Sequence, residues 1–281
     1  MRKKFFPAIL IAAFLLISGK IEEDKPELKK IEKSMVKVSE NLYACKYEAA
    51  NLEYRIFLNE LKANKPNNYK IAMVDSEQWQ KRFPHAYHDP LVQMYCWHPA
   101  YNYYPVVNIS HEGAVMFCTW LTEKYNSWKG KNFKKIKFRL PSSEEWELAA
   151  RGGKEDENYP FGNYLRGETG KYLCNYRPVG DEKITSDIDS NKMEVVKKFV
   201  KTNEFMADGA TYTTRVNSYF PNGFGLYNMS GNVAEMLIED VVVCGGSWAN
   251  SGFDVRIDSR QKFDKPSPLV GFRYFMEVIE K

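Results

Sequence analysis

The chain has 281 residues, 44% of them hydrophobic and 15% aromatic, which excludes a disordered protein and allows one large core or two ordinary ones. Lys and Arg number 40 against 36 Asp and Glu, so the net charge is only +4, with the signs interspersed, and there is no electrostatic case for nucleic acid. Eighteen Tyr and 17 Phe beside 17 Gly and 13 Pro suit an irregular, loop-rich fold packed through aromatic rings.

Met1-Arg2-Lys3-Lys4 is a basic start, and Phe5 to Ser18 is an apolar run too short for a comfortable membrane span. Residues 1–20 therefore read as a signal peptide. Their end looks like a bacterial lipoprotein signal in which Lys20 replaces the acceptor cysteine. The expectation is an exported protein of the bacterial periplasm or cell surface, without a membrane span once the segment is cleaved; an uncleaved anchor is the alternative. Residues 21–41 are charge-rich and read as a solvated linker, leaving 42–281 as the folded domain.

Leu42 to Glu48 predicts a strand. Asn51 then caps a helix in which Tyr54, Phe57, Leu58 and Leu61 share one face. Lys62 to Tyr104 is irregular and carries His85, His88 and His98; the first two offer imidazoles to a transition metal, but two ligands between prolines more often pack or face solvent. Tyr104 to Ile109 reads as a short strand. Ser110 caps a helix with Ala114, Phe117, Cys118 and Leu121 on its buried face. Ser142 and Glu145 have the spacing of a capping box for a helix 144–151, which Gly152-Gly153 ends.

From Lys154 to Phe220 the periodicity is lost, apart from a helical fragment expected near Met193 to Val200. So long a loop needs something to hold it. Asn222-Gly223 is a tight turn, and Asn228 to Glu235 is a compact polar loop. In it, the side-chain oxygens of Asn228 and Glu235, with the carbonyls of Gly231 and Val233, could surround calcium; a plain turn is the alternative. Val241 to Val243 and Gly271 to Tyr274 predict the last strands. Arg256 and Arg260, four apart, have the fixed donors to brace nearby carbonyls or carboxylates. Five cysteines, Cys45, Cys96, Cys118, Cys174 and Cys244, show no metal-site spacing, and their pairing cannot be read.

Several stretches then line up in order: Tyr47-Glu48-Ala-Ala-Asn51, Tyr104-Pro-Val-Val-Asn-Ile-Ser110, Leu140-Pro-Ser-Ser-Glu-Glu-Trp146, Tyr159-Pro-Phe-Gly162, Asn222-Gly-Phe-Gly-Leu-Tyr-Asn228, Gly231-Asn-Val-Ala-Glu235, Gly245-Gly-Ser-Trp248 and Gly271-Phe-Arg273. Together they resemble the sulfatase-modifying-factor family, whose namesake is the formylglycine-generating enzyme. The resemblance implies a single irregular α+β domain related to C-type lectins. It also implies two calcium sites, one at Asn228, Gly231, Val233 and Glu235, the other at Asn175, Tyr176, Asp208 and Ala210.

The family's oxidase holds copper through two cysteines after the Gly-Gly-Ser turn, as a soft ion requires. Here those positions are Asn250 and Val255, so no copper and no catalytic residue is expected. The expected function is a calcium-stabilised, catalytically silent module of the cell envelope, resembling members of the gliding-motility and type IX secretion apparatus and binding a protein or glycan. Ser247, Trp248, Asn250, Arg256 and Arg260 are its candidate binding residues. The competing class is a metal-dependent oxidoreductase with a site rebuilt from His85, His88 or Cys244.

Overall fold

A computed structural model describes residues 27–85, 90–178 and 210–281, with the backbone alone of 181–186 and 193–198. The chain opens with α1 (Leu28–Ser34) and β1 (Met35–Lys37), followed by β2 (Leu42–Cys45), α2 (Asn51–Asn64), α3 (Pro66–Ala72), α4 (Glu77–Arg82) and α5 (Leu91–Met94). Next come α6 (His111–Ser127), β3 (Lys135–Arg139), α7 (Ser143–Arg151), β4 (Asp181–Ser186) and β5 (Met193–Lys198). The C-terminal part holds β6 (Ala234–Met236), β7 (Val242–Cys244), β8 (Arg260–Lys262), β9 (Val270–Gly271) and β10 (Phe275–Glu280).

One four-stranded antiparallel sheet runs β1-β2-β10-β3, so the last strand of the chain lies between two early ones. A second runs β8-β7-β6-β9, with β6 and β9 parallel. The main core lies where α2 and α6 meet the first sheet. Tyr54, Phe57, Leu58 and Leu61 of α2 and Ala114, Phe117, Cys118 and Leu121 of α6 are all buried, as their spacing predicts. Burying each larger apolar side chain contributes about 2 kcal/mol relative to leaving it in water. Phe117 touches Tyr54, Phe57, Trp120, Phe272 and Tyr274, which ties both helices to the end of the chain.

The capping box of α7 forms as its spacing predicts: Glu145 N–H donates to Ser142 Oγ, and Ser142 N–H donates to the Glu145 carboxylate at 2.9 Å. Gly152 ends the helix at φ +60°. Asn222 Nδ2 then donates to the carbonyls of Ala149 and Ala150, so the Asn222-Gly223 turn also closes this helix end.

Five expectations change. Asn51 does not cap α2: Ala50 is the N-cap, and the Asn51 amide donates to the carbonyls of Tyr95 and Tyr101. The stretch 21–41 is more than a solvated linker: residues 28–37 form α1 and β1, β1 pairs with β2, and Ile31 is buried. Charge density concealed this, because a single apolar side chain per turn is enough to seat a short helix. Tyr104 to Ile109 forms no strand; it is anchored by one bridge, Ala50 to Pro105, and Pro105 has no N–H to continue a ladder. Residues 193–198 are a strand paired with β4, because Val195 and Val196 favour a sheet once a partner is present. Phe272 to Tyr274 break between β9 and β10, and Arg273 turns into the interior there.

Candidate functional site

Several of the quoted motifs converge on one buried polar network. Arg273, fully buried, sits at its centre. Its guanidinium pairs with Glu235 at 2.6 Å and donates to the carbonyls of Cys45 (2.8 Å) and Tyr227 (2.7 Å). Trp146 Nε1 donates to the other Glu235 oxygen at 2.7 Å. Glu48 lies beside this pair and accepts from the side-chain amides of Asn232 (2.7 Å) and Asn228 (3.1 Å). Asn232 Oδ1 takes the Thr214 N–H, and Asn175 O takes the Asn232 N–H.

The local backbone explains why these residue types stand here. Asn228, Gly231 and Asn232 all have positive φ, at 53°, 75° and 61°. Asparagine and glycine tolerate that region best.

Of the first predicted calcium set, Asn228 Oδ1 is buried and without a hydrogen-bond partner, which fits an oxygen ligand of a hard cation. Glu235 is different. Its carboxylate already accepts four hydrogen bonds from Arg273 and Trp146 and would have to share them. Neither residue follows the plain-turn alternative, in which both would serve backbone amides. Of the second set, Asn175 is buried against Asn232, and its Nδ2 donates to the Tyr212 carbonyl. Tyr176 packs on Tyr172, and Ala210 is half-buried. Asp208 lies outside the described residues. Asn232 links the two sets: it contacts Asn175 directly and shares the Glu48 carboxylate with Asn228. Glu48, Trp146, Asn232 and Arg273 escaped selection as site residues, although each lies in a stretch that carried the resemblance. The missed signal was charge: a Glu or Arg between apolar neighbours is a candidate for a buried pair.

Burial pushes the Glu48 carboxyl up from its ordinary 4.5 to about 7; Arg273 pulls it down, and Glu235 repels it upward. In the unfolded chain the group titrates near its ordinary value, so between about pH 4.5 and 7 the folded state binds the extra proton. This contribution to stability is complete below that window and is lost as pH rises through it, by about 3 kcal/mol. Urea unfolding from pH 5 to 8 should therefore show a component of falling stability that Glu48→Gln removes; identical slopes in the two proteins would refute the assignment.

At the two positions matched to copper ligands, Asn250 Oδ1 accepts from Ser247 N–H (2.9 Å) and Oγ (2.5 Å), which closes the turn. Val255 is fully buried beside Cys174 and Tyr159 in a small cluster. Cys174 is thus the one thiol in that cluster, while Cys244 belongs to a different one with Trp146 and Phe275. All five cysteines are buried. Burial pushes the Cys96 and Cys244 thiols up to about 12. His85 is exposed, and His88 lies outside the described residues.

The five candidate binding residues do not form an open surface. Ser247 is fully buried, and Trp248 belongs to an aromatic cluster with Trp79, Phe83 and Tyr212, its Nε1 donating to Pro268 O. Its apolar bulk is worth more in that core than at the surface. Arg260 braces Ile257 O, Ser259 O, Ser143 and Glu147, as expected of a paired arginine. Arg256 lies over the half-exposed Phe253 ring at 3.9 Å and reaches Asp258 at 3.3 Å.

Residues 13–278 match the model of the sulfatase-modifying factor enzyme 1-like domain. The chain belongs to this family. Its mixed helices and sheets are the formylglycine-generating-enzyme fold, a single domain low in regular structure. It is 35% identical over 132 residues to the formylglycine-generating enzyme of Thermomonospora curvata, covering 47% of this chain and 32% of that protein. It is 29% identical over 186 residues to the inactive C-alpha-formylglycine-generating enzyme 2 of Bos taurus, covering 60% and 49%. Among solved structures it is similar to Treponema denticola variable protein 1, at 20% identity and a TM-score of 0.49 over 84% of each chain. The chain thus spans about a third and about a half, respectively, of these two curated relatives.

Proposed function

We propose that this family member is a catalytically silent, calcium-stabilised recognition module of the cell envelope. One observation carries the silent reading: an amide and an isopropyl group stand where Cu(I) would require two thiolates, and the amide is already spent on Ser247. That a mammalian relative is itself described as inactive is consistent with it.

Calcium rests on the buried, unpartnered Asn228 Oδ1, with the carbonyls of Gly231 and Val233 as the other donors. Such an ion would join segments that bury little apolar area. The exported location rests on the basic and apolar start of the sequence, and a gliding-motility or type IX secretion role rests on the resemblance alone. Among the described residues, no helix is long and apolar enough to cross a membrane. An envelope protein or glycan is the proposed partner.

The test incubates the purified protein with Cu(I), oxygen and a cysteine-containing sulfatase peptide. Less than stoichiometric copper and no aldehyde by mass spectrometry are expected, whereas the double variant Asn250→Cys, Val255→Cys should gain Cu(I). Stoichiometric copper with peptide oxidation by the unaltered chain would sink the silent reading. Calcium is tested on the same samples: about 100 times Kd of the ion should add about 3 kcal/mol to the unaltered protein and nothing to Asn228→Ala.

A further inference from the structure

A cavity of about 530 Å³ lies between α1, the start of α2, α6 and the segment Arg215 to Asn217. It includes neither Asn250 nor Val255, so it is separate from the positions matched to copper ligands. Its volume falls within the range of pockets that hold small organic ligands, roughly 300–1,000 Å³.

Three carboxylates line it, Glu27, Glu48 and Glu53; Glu27 pairs with Lys30, whereas the hydrogen-bond partners of Glu48 and Glu53 are neutral donors. Glu48 accepts from the two asparagine amides already described. Glu53 accepts from Ala50 N–H and the Tyr274 hydroxyl, both at 3.0 Å. Arg273, the nearest buried cation to Glu48, spends its hydrogen bonds on Glu235 and two carbonyls. The basic residues of the lining are engaged with other groups: Lys30 pairs with Glu27 at 2.5 Å, and Arg215 stacks over Tyr103. Glu48 is buried and Glu53 partly buried, and neither is hydrogen-bonded to a cation, which costs free energy. Burial accordingly pushes both carboxyl groups above their ordinary range.

Much of the rest of the wall is apolar, with Ser34, Tyr47 and Asn217 as further polar residues. Ile31, Ile56, Phe117 and Trp120 face the same space, with Leu52 and Val216. This combination selects against an anion, which the carboxylates would repel. It also disfavours a bare divalent ion, which wants six or more oxygens and gains nothing from the aromatic and aliphatic wall.

We propose that this cavity binds a small primary amine carried on an aromatic or branched apolar body, its ammonium held between Glu48 and Glu53. The apolar body replaces water against Phe117 and Trp120. The ammonium supplies a cationic hydrogen-bond partner that the two carboxylates lack.

The test is calorimetric titration of the full-length protein with tryptamine, with indole-3-propionate as an anionic partner of nearly the same shape and calcium chloride as the inorganic cation. The expected result is tryptamine binding at least tenfold tighter than indole-3-propionate, unaffected by calcium, and weakened at least tenfold in Glu53→Gln. Ile56→Trp, which adds bulk to the cavity wall and removes no carboxylate, should weaken it equally. It decides the matter if Glu53→Gln fails to fold. Equal affinity for amine and acid, displacement of tryptamine by calcium, affinity unchanged in Ile56→Trp, or no binding of tryptamine by the folded protein would each overturn the proposal. None of these outcomes depends on whether the copper positions are silent.

Discussion

Arg273→Met is expected to lower stability by about 3 to 5 kcal/mol, the usual cost of leaving one member of a buried ion pair alone. Glu235 would then be a fully buried carboxylate with only the Trp146 N–H left to it, and the carbonyls of Cys45 and Tyr227 would lose their donors. For a domain of this size the thermal midpoint should fall by roughly 10 °C. Arg273→Lys should recover little, because one ammonium cannot reach Glu235 and two separate carbonyls with the spread of a guanidinium. The double variant Arg273→Met, Glu235→Gln should be more stable than Arg273→Met alone, since the stranded charge is gone. A loss below about 1 kcal/mol for Arg273→Met, measured by urea unfolding, would show that the network is not what holds these motifs together.

Gly231→Ala should be comparably severe for a different reason. A Cβ at this position would lie 2.1 Å from the Asn175 carbonyl oxygen and 2.9 Å from its carbon. Those atoms are backbone, and the oxygen is held by the Asn232 N–H at 2.8 Å, so the neighbour cannot yield without breaking that bond. The positive φ of 75° adds about 1 kcal/mol of strain for any residue with a Cβ. The expected loss is about 3 kcal/mol or more. Gly225, also at positive φ but with open space around it, provides the control: Gly225→Ala should show the strain alone. Equal losses in the two variants would refute the close approach of the 175 and 231 segments.

Much of the scaffold was legible because local rules decided it. The stripes on α2 and α6 and the Ser142–Glu145 cap depend on residues within a turn or two of one another, and all formed. The strand at 193–198 and the helix at 28–34 were not legible, because their conformation is set by a distant or short-range partner that pattern alone does not reveal. Trp248 looked like a binding residue beside a glycine turn; only the approach of Phe83 and Tyr212 makes it core.

By itself the sequence determined the family, because order of motifs does not depend on folding; that Asn250 and Val255 stand at the copper-ligand positions is what the resemblance implies. Only the tertiary structure decided that Glu235 belongs to Arg273, that Asn228 keeps an unpartnered oxygen, and that Glu48 and Glu53 face one cavity. The physical reason is range: a charge 38 residues away along the chain, as Arg273 is from Glu235, becomes a partner only when two strands and a turn carry it there, and desolvation then makes that partner obligatory.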